Sequence, residues 1–203
     1  MEREILIVAI LAAAIKAGTS ILYATLGEIF TERSGILNLG VEGMMLIGAL
    51  GGFMANLYTN NLVIGILVAI IAGGMLSLIH AFLCITLRSN QVVSGLALTL
   101  MGAGLSSFLG KSLVGVPAPN YFRAFKIPFL SNIPFIGRIF FQHDLLIYLS
   151  YIIVPLAWFF MYKTKPGLHL RAVGEDPATA DSLGVNIYRI RYVYVLIGVC
   201  FQD

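Results

Sequence analysis

Five apolar runs, each long enough to cross a bilayer, limit the fold of this chain more than any other feature: residues 5–27, 39–58, 62–87, 91–110 and 144–162. A spanning helix needs about 20 mostly apolar residues, because a rise of about 1.5 Å per residue must cover a hydrocarbon core of about 30 Å. Lipid offers no partners to backbone N–H and C=O groups, so each run has to close its own hydrogen bonds as helix. Composition agrees. Only 11% of residues are Asp, Glu, Lys or Arg, against about 25% in a soluble domain, and the mean hydropathy is +0.91. The expected fold class is all-α: a polytopic helical membrane protein with five complete transmembrane helices and the start of a sixth.

The ends of the chain need separate reading. Glu2 and Glu4 spoil the basic leader of a secretory signal, and the later apolar runs make the first one an ordinary span. Residues 192–201 turn apolar again, but about ten residues fall well short of a crossing. No Lys or Arg anchors the ending Cys200-Phe201-Gln202-Asp203. The expectation is a single, incomplete membrane domain over residues 1–203, cut within its sixth span.

Charge along the chain sets an orientation. With the N-terminus outside, the inner segments hold Arg33, Arg88, Lys163, Lys165, Arg171, Arg189 and Arg191. The outer ones hold Arg3, Lys111, Arg123, Lys126 and Arg138. Five of the seven inner charges crowd into residues 163–191, as the positive-inside rule favours. The net charge of +3 therefore carries no implication of nucleic acid.

Pro117, Pro119, Pro128 and Pro134 argue against continuous helix in the outer segment 111–143. Its Phe122, Phe125, Phe129 and Phe135 are apolar enough to lie back on the bundle. Tyr148, Tyr151, Trp158, Phe159 and Tyr162 are candidates for an interfacial aromatic belt. Gly48/Gly52, Gly73/Ser77, Gly102/Ser106 and Ser106/Gly110 are small residues spaced by four, which lets helix backbones approach closely in lipid. Cys84 and Cys200 sit in apolar runs without metal or disulfide spacing and read as small buried hydrophobes.

Four features could carry function. Residues 31–45 join the first two spans, and Gly35, Gly40 and Gly43 permit tight turns and close approach there. Within them Asn38 and Glu42 either line a polar permeation path, or Glu42 is a cap-like carboxylate at a helix entrance. Lys16 either faces a protein interior or a water-filled path, or it reaches the headgroups from a helix broken near Gly18-Thr19-Ser20. The break is the favoured reading. His80 has no Asp or Glu in its span and reads as a satisfied structural histidine.

The polar loop 163–191 contains one short helix with both ends marked. Asp176 is a good N-cap and Pro177 suits the first helical position. Gly184 fits the left-handed residue that closes a helix. A helix of about two turns is marginal alone, so docking on something else is expected. Ala178, Ala180 and Leu183 would supply a shallow apolar contact, and Glu175, Asp176 and Asp181 the charge. A capped surface helix with no partner is the plainer alternative.

Two stretches carry a family resemblance. Glu32-Arg33-Ser34-Gly35-Ile36-Leu37-Asn38-Leu39-Gly40-Val41-Glu42-Gly43-Met44-Met45 resembles the early signature of ABC permeases of the ribose and branched-chain amino-acid branch. It is most similar to the subgroup for nucleosides or simple sugars. Residues 167–188, with Arg171-Ala172-Val173-Gly174-Glu175-Asp176-Pro177-Ala178-Thr179-Ala180, resemble that family's cytoplasmic loop.

The resemblance implies a coupling element, Glu175, Asp176, Pro177, Ala178, Thr179, Ala180, Asp181, Ser182, Leu183 and Gly184, seated in a groove of a separate ATP-binding cassette subunit. It implies a translocation path near Asn38 and Glu42, a second permease subunit, and an extracellular solute-binding protein or lipoprotein. ATP and Mg would sit on the partner, with no cofactor on this chain. The location implied is a bacterial or archaeal plasma membrane, in contact with its lipid. Members of the family continue past this loop with further spans.

Other classes fit less well. A secondary transporter would place ionisable groups at mid-membrane in matched, broken helices, whereas only Lys16, Glu42 and His80 lie in the spans and no repeat is visible. An intramembrane enzyme would need a Ser/His, paired-Asp or His-Glu-x-x-His constellation, which the sequence lacks. A plain membrane anchor would not need a capped, charged loop.

Overall fold

A computed structural model of the chain describes residues 2–127, 131 and 136–202. The order of elements is α1 (Glu2–Arg33), α2 (Val41–Thr59), α3 (Leu62–Ala81) running into a π-helical turn Phe82–Thr86, α4 (Gln91–Gly110), β1 (Phe125–Lys126), α5 (Ile136–Phe140), β2 (Gln142–His143), α6 (Leu145–Lys163), α7 (Lys165–Glu175), α8 (Pro177–Ser182) and α9 (Ile187–Gln202). Among the described residues five helices are long and apolar enough to cross a membrane: Leu6–Arg33, Val41–Thr59, Leu62–Thr86, Gln91–Leu113 and Leu145–Lys163. They coincide with the five apolar runs to within a few residues, apart from the first, which continues to Arg33. Most of their surface faces outward, as lipid or neighbouring helices require.

α1 is continuous, which corrects the expected break at Gly18-Thr19-Ser20. Thr19 Oγ1 donates to the carbonyl of Ile15 (2.8 Å) and Ser20 Oγ to that of Ala17 (3.1 Å). The hydroxyls are thus satisfied inside the helix, and an interior Gly costs only about 1 kcal/mol. Lys16 stands on the wall of a cavity of about 480 Å³ that Thr19, Ser20, Tyr23 and Asp144 also line. It is largely exposed and pairs with Asp144, just before α6, at 3.6 Å.

The bundle closes through small residues. A Cβ on Gly27 would lie 2.2 Å from the Gly198 carbonyl oxygen, and one on Gly102 2.4 Å from that of Gly43. These contacts seat α9 on α1 and α4 on α2 at near-backbone distance. Of the pairs spaced by four, Gly102 makes such a contact, whereas Gly27, Gly43 and Gly198 lie outside that pattern. Ser77 Oγ donates to the Val195 carbonyl (3.4 Å), which ties α3 to α9. The cores fill these junctions: Phe30, Met161, Leu170 and Tyr194 in one, Ile36, Ala81, Ile85 and Val195 in a second, Met44, Leu76, Leu98 and Val199 in a third.

The segment 111–143 holds a two-residue antiparallel ladder, with Phe125 opposite His143 and Lys126 opposite Gln142. Asn120 Nδ2 donates to the Asn60 carbonyl (2.8 Å), and Asn56 Nδ2 to that of Asn120 (2.9 Å), pinning the loop to the α2–α3 turn. Phe125 is exposed, so it does not lie back on the bundle. Pro128, Phe129, Pro134 and Phe135 lie outside the described residues. In the expected belt, Tyr151, Trp158, Phe159 and Tyr162 are exposed, while the Tyr148 hydroxyl bonds backbone at Phe125 and His143. Cys84 is buried as expected; Cys200 is exposed, since it lies on the face of α9 turned from the core.

Candidate functional site

A dense group of polar residues gathers at one end of the bundle, where the turn 34–40, the π-helical end of α3, and the helices α7, α8 and α9 meet. α1 ends in a Schellman motif. Gly35 has φ +85°, Ile36 N–H donates to Thr31 O (3.4 Å) and Gly35 N–H to Glu32 O (2.9 Å). The turn that follows is held from several sides. Leu37 N–H donates to Gln91 Oε1 (2.8 Å) and Thr99 Oγ1 to the Leu39 carbonyl (2.8 Å). Arg191 Nε donates to the Ser34 carbonyl (3.2 Å).

His80 belongs to this clamp. Its Nε2 lies 3.2 Å from the Leu37 carbonyl and its Nδ1 3.0 Å from Ser94 Oγ. A carbonyl can only accept, so Nε2 carries the proton and Nδ1 accepts from Ser94. The ring is fully buried, with both nitrogens used, as expected of a structural histidine.

The two residues assigned to a path differ in kind. Asn38 is buried, and its side chain is committed to the turn: Oδ1 accepts from Gly40 N–H (3.0 Å) and Nδ2 faces Met44 Sδ (3.5 Å). Glu42 is exposed in the first turn of α2, where a carboxylate complements the helix dipole. A third polar residue was not anticipated. Glu28, on α1, accepts from Asn38 N–H at 3.1 Å through Oε1, and its Oε2 is buried without a hydrogen-bond partner. Its charge near the inner end of a span was the signal that could have found it.

The loop 163–191 is more ordered than expected, because α7 fills its first half. Thr164 caps α7 by accepting from Gly167 N–H (3.2 Å), and Pro166 follows in the first turn. Leu170 and Val173 point into the bundle and are fully buried. Gly174 lies directly on the end of α1: a Cβ there would be 2.2 Å from the Arg33 carbonyl oxygen.

α8 has the expected ends. Asp176 Oδ1 accepts from the N–H groups of Ala178 (3.1 Å) and Thr179 (3.2 Å), and Thr179 Oγ1 donates to Oδ2 (2.5 Å). Those bonds from Thr179 hold the exposed Asp176 carboxyl below its ordinary value. At the other end Gly184 has φ +80°. Gly184 N–H donates to Asp181 O (2.8 Å) and Val185 N–H to Ala180 O (3.1 Å), a second Schellman motif.

One expectation about α8 fails. Ala178, Ala180 and Leu183 do not share a face, because residues two apart in a helix point away from one another and Leu183 lies past the end of α8. Ala180 is buried against the bundle, while Ala178 is exposed and Leu183 is 77% exposed. The outward surface of α8 comprises Glu175, Asp176, Ala178, Thr179, Asp181, Ser182, Leu183 and Gly184.

The platform continues into the spans. Asn186 caps α9, accepting from Arg189 N–H (2.9 Å). Thr86 Oγ1 and the Tyr192 hydroxyl are 2.5 Å apart, and Arg88 Nη2 donates to the Tyr188 hydroxyl (3.2 Å). These two bonds tie the foot of α9 to the π turn and the residues that follow α3.

Five apolar spans with a rigid polar platform at one end define a multi-pass helical membrane protein. The chain belongs to the family described as branched-chain amino acid transport system / permease component, whose model matches residues 9–201. It is 46% identical over 194 residues to the Haloferax volcanii protein named "Putative glucose ABC transporter permease protein TsgC13", covering 93% of this chain and 58% of that one. It is 38% identical over 213 residues to the guanosine ABC transporter permease protein NupQ of Bacillus subtilis, covering 98% of this chain and 65% of that one. It is also 38% identical over 190 residues to the nucleoside ABC transporter permease protein NupC of Lactococcus lactis, covering 89% and 60%. The chain thus spans about three-fifths of the length of these curated relatives. No solved structure matches it.

Proposed function

We propose that this chain forms part of the translocation path of an ABC importer for a nucleoside or sugar, powered by a separate ATP-binding cassette subunit. The observation that carries the reading is α8, a two-turn helix capped by Asp176, closed by Gly184, and held on α7 and α9 by the buried Ala180. It exposes an isolated leucine, Leu183, among acidic and hydroxyl side chains. A helix so short gains little stability alone and nothing from exposing Leu183, whereas a partner groove would bury both. The names of the relatives supply the cargo class.

In this reading the N-terminus lies outside and the platform faces the cytoplasm, in a bacterial or archaeal plasma membrane. The chain itself does no chemistry. ATP and Mg act on the partner, whose closure pushes on the element Glu175–Gly184. The displacement passes through α9 to α3 and shifts a two-state bundle between outward- and inward-facing forms. Asn38 and Glu42 stand close to the path, with Glu28 behind Asn38. A second permease subunit completes the path, and an extracellular solute-binding protein or lipoprotein delivers cargo.

Co-purification tests the docking. In mild detergent, full-length permease should retain an ATP-binding subunit, and Leu183→Ser should release it. Retention unaffected by substitutions across α8 would overturn the assignment. Protease digestion of intact cells tests the orientation, since residues 163–191 should resist cleavage until the membrane is opened.

A further inference from the structure

Beside α8 lies a cavity of about 450 Å³. Its walls include Arg88 from the α3–α4 turn, Pro177, Ala178 and Asp181 from α8, and Tyr188 and Arg191 from α9. Two guanidiniums share this space, and both are held by neutral groups. Arg191 Nε donates to the Ser34 carbonyl, and Arg88 Nη2 to the Tyr188 hydroxyl. Asp181 lines the same cavity, yet among the described residues no carboxylate stands within ion-pair distance of either arginine.

The backbone beneath Arg88 is unusual. α3 leaves its α-helical path in the π turn Phe82–Thr86, and Arg88 then takes the left-handed conformation at φ 51°. Glycine would hold that conformation without strain, whereas a residue with a side chain pays for it. An arginine here places a guanidinium over the cavity. Burial also pulls the Arg191 guanidinium below its ordinary value. A partly buried cation left without a counter-ion is less favourable than a paired one, and an anion entering the cavity supplies the missing charge. The neighbouring side chains Phe82, Leu87, Val92 and Val93 are exposed and apolar. Close to Arg88 in sequence, they offer apolar surface suited to acyl chains.

The geometry points to a phosphate-binding site formed by Arg88 and Arg191, which takes the headgroup phosphate of an anionic phospholipid at the membrane surface beside α8. Planar guanidiniums suit bidentate contact with phosphate oxygens. Pro177, Ala178 and Asp181 belong both to this cavity and to the element proposed to dock an ATP-binding subunit, whereas recognition of the phosphate falls to Arg88 and Arg191, outside that element.

The full chain is reconstituted in nanodiscs of phosphatidylcholine with or without phosphatidylglycerol, and retained lipid is counted by native mass spectrometry. Phosphatidylglycerol should be retained selectively. The double variant Arg88→Gln/Arg191→Gln should weaken retention roughly 30-fold, and Arg88→Gln alone roughly 5-fold, at about one surface-lipid interaction per arginine. Asp181→Asn, which removes the like charge, should strengthen it. Arg189→Gln, basic and exposed on the same helix but outside the cavity, should change nothing. If the double variant does not fold, Arg88→Gln carries the test, because its side chain is exposed. Displacement of the lipid by inorganic phosphate supports the same phosphate site. Inorganic phosphate bound without any preference for phosphatidylglycerol supports the site but assigns it to free phosphate. Equal losses from Arg189→Gln and Arg88→Gln would reduce the effect to diffuse surface charge and overturn the proposal. So would variants that alter only the docking of an ATP-binding subunit, which would make the natural occupant a protein carboxylate.

Discussion

Replacing Gly174 by Ala tests how the polar platform is held on the spans. The added Cβ would lie 2.2 Å from the Arg33 carbonyl oxygen, 3.0 Å from the Arg33 carbonyl carbon and 3.4 Å from Gly35 N. A relaxed contact between such atoms needs roughly 3.5 Å, so α7 has to move about 1 Å off the end of α1. All three obstacles are backbone atoms, with no rotamer to swing aside, which places the strain near the top of the ~1–3 kcal/mol range for overpacking. Alanine returns about 1 kcal/mol of helix propensity, leaving a net loss of about 2 kcal/mol. Gly104→Ala is the matched control, because nothing lies within 4 Å of its added Cβ. It should be neutral or slightly stabilising, about 3 kcal/mol apart from Gly174→Ala. Equilibrium unfolding in mixed micelles on a rising fraction of SDS measures both variants. In the assembled importer, Gly174→Ala should also lower cargo-stimulated ATP hydrolysis, since α8 follows α7. Equal stabilities for the two variants would refute the reasoning, because the α1–α7 contact would then be loose enough to admit a methyl group.

Three further outcomes follow from other parts of the molecule. Gly184→Val puts a β-branched residue at φ +80°; it should uncouple uptake from ATP hydrolysis while micelle unfolding stays within about 1 kcal/mol of wild type, since only the exposed end of α8 is strained. His80→Ala should lower stability by about 2–4 kcal/mol in the same unfolding assay, because it opens a void and strips the Leu37 carbonyl and Ser94 of a buried partner. Asp176 is held below its ordinary pKa, so its capping is complete above the unfolded value and is lost as pH falls through the folded one. Docking of the ATP-binding subunit should therefore persist into the ordinary carboxylate range, fail only at more acidic pH, and become insensitive to pH across that range in Asp176→Asn, read by pull-down.

The spans were legible from the chain alone because they obey a one-dimensional rule. Lipid forbids unpaired backbone, so run length and hydropathy suffice to locate helices. The ends of α8 were legible for a similar reason: Asp176-Pro177 and Gly184 act within a few residues of themselves, on hydrogen bonds that any short helix must close. Local rules failed where satisfaction was itself local but invisible in composition. Gly18-Thr19-Ser20 looked like a breaker, yet the hydroxyls bond back into α1 and keep it whole. α7 passed unnoticed because its apolar Leu168, Leu170, Ala172 and Val173 alternate with polar and charged residues, and the burial of Leu170 and Val173 depends on a surface of the bundle supplied by distant segments.

Tertiary structure alone decided what the polar residues do. Asn38 and Glu42 are four residues apart, yet one is sealed in a turn and the other faces out. Glu28 meets Asn38 because the Gly35 reversal folds the chain back on α1. Arg88 and Arg191 are about a hundred residues apart and share a cavity only because α9 packs against the end of α3. Helix formation in lipid is a property of each segment by itself. Which charges face one another is set by close packing through glycines such as Gly27, Gly174 and Gly198, and no local pattern records which backbone will come to rest against them.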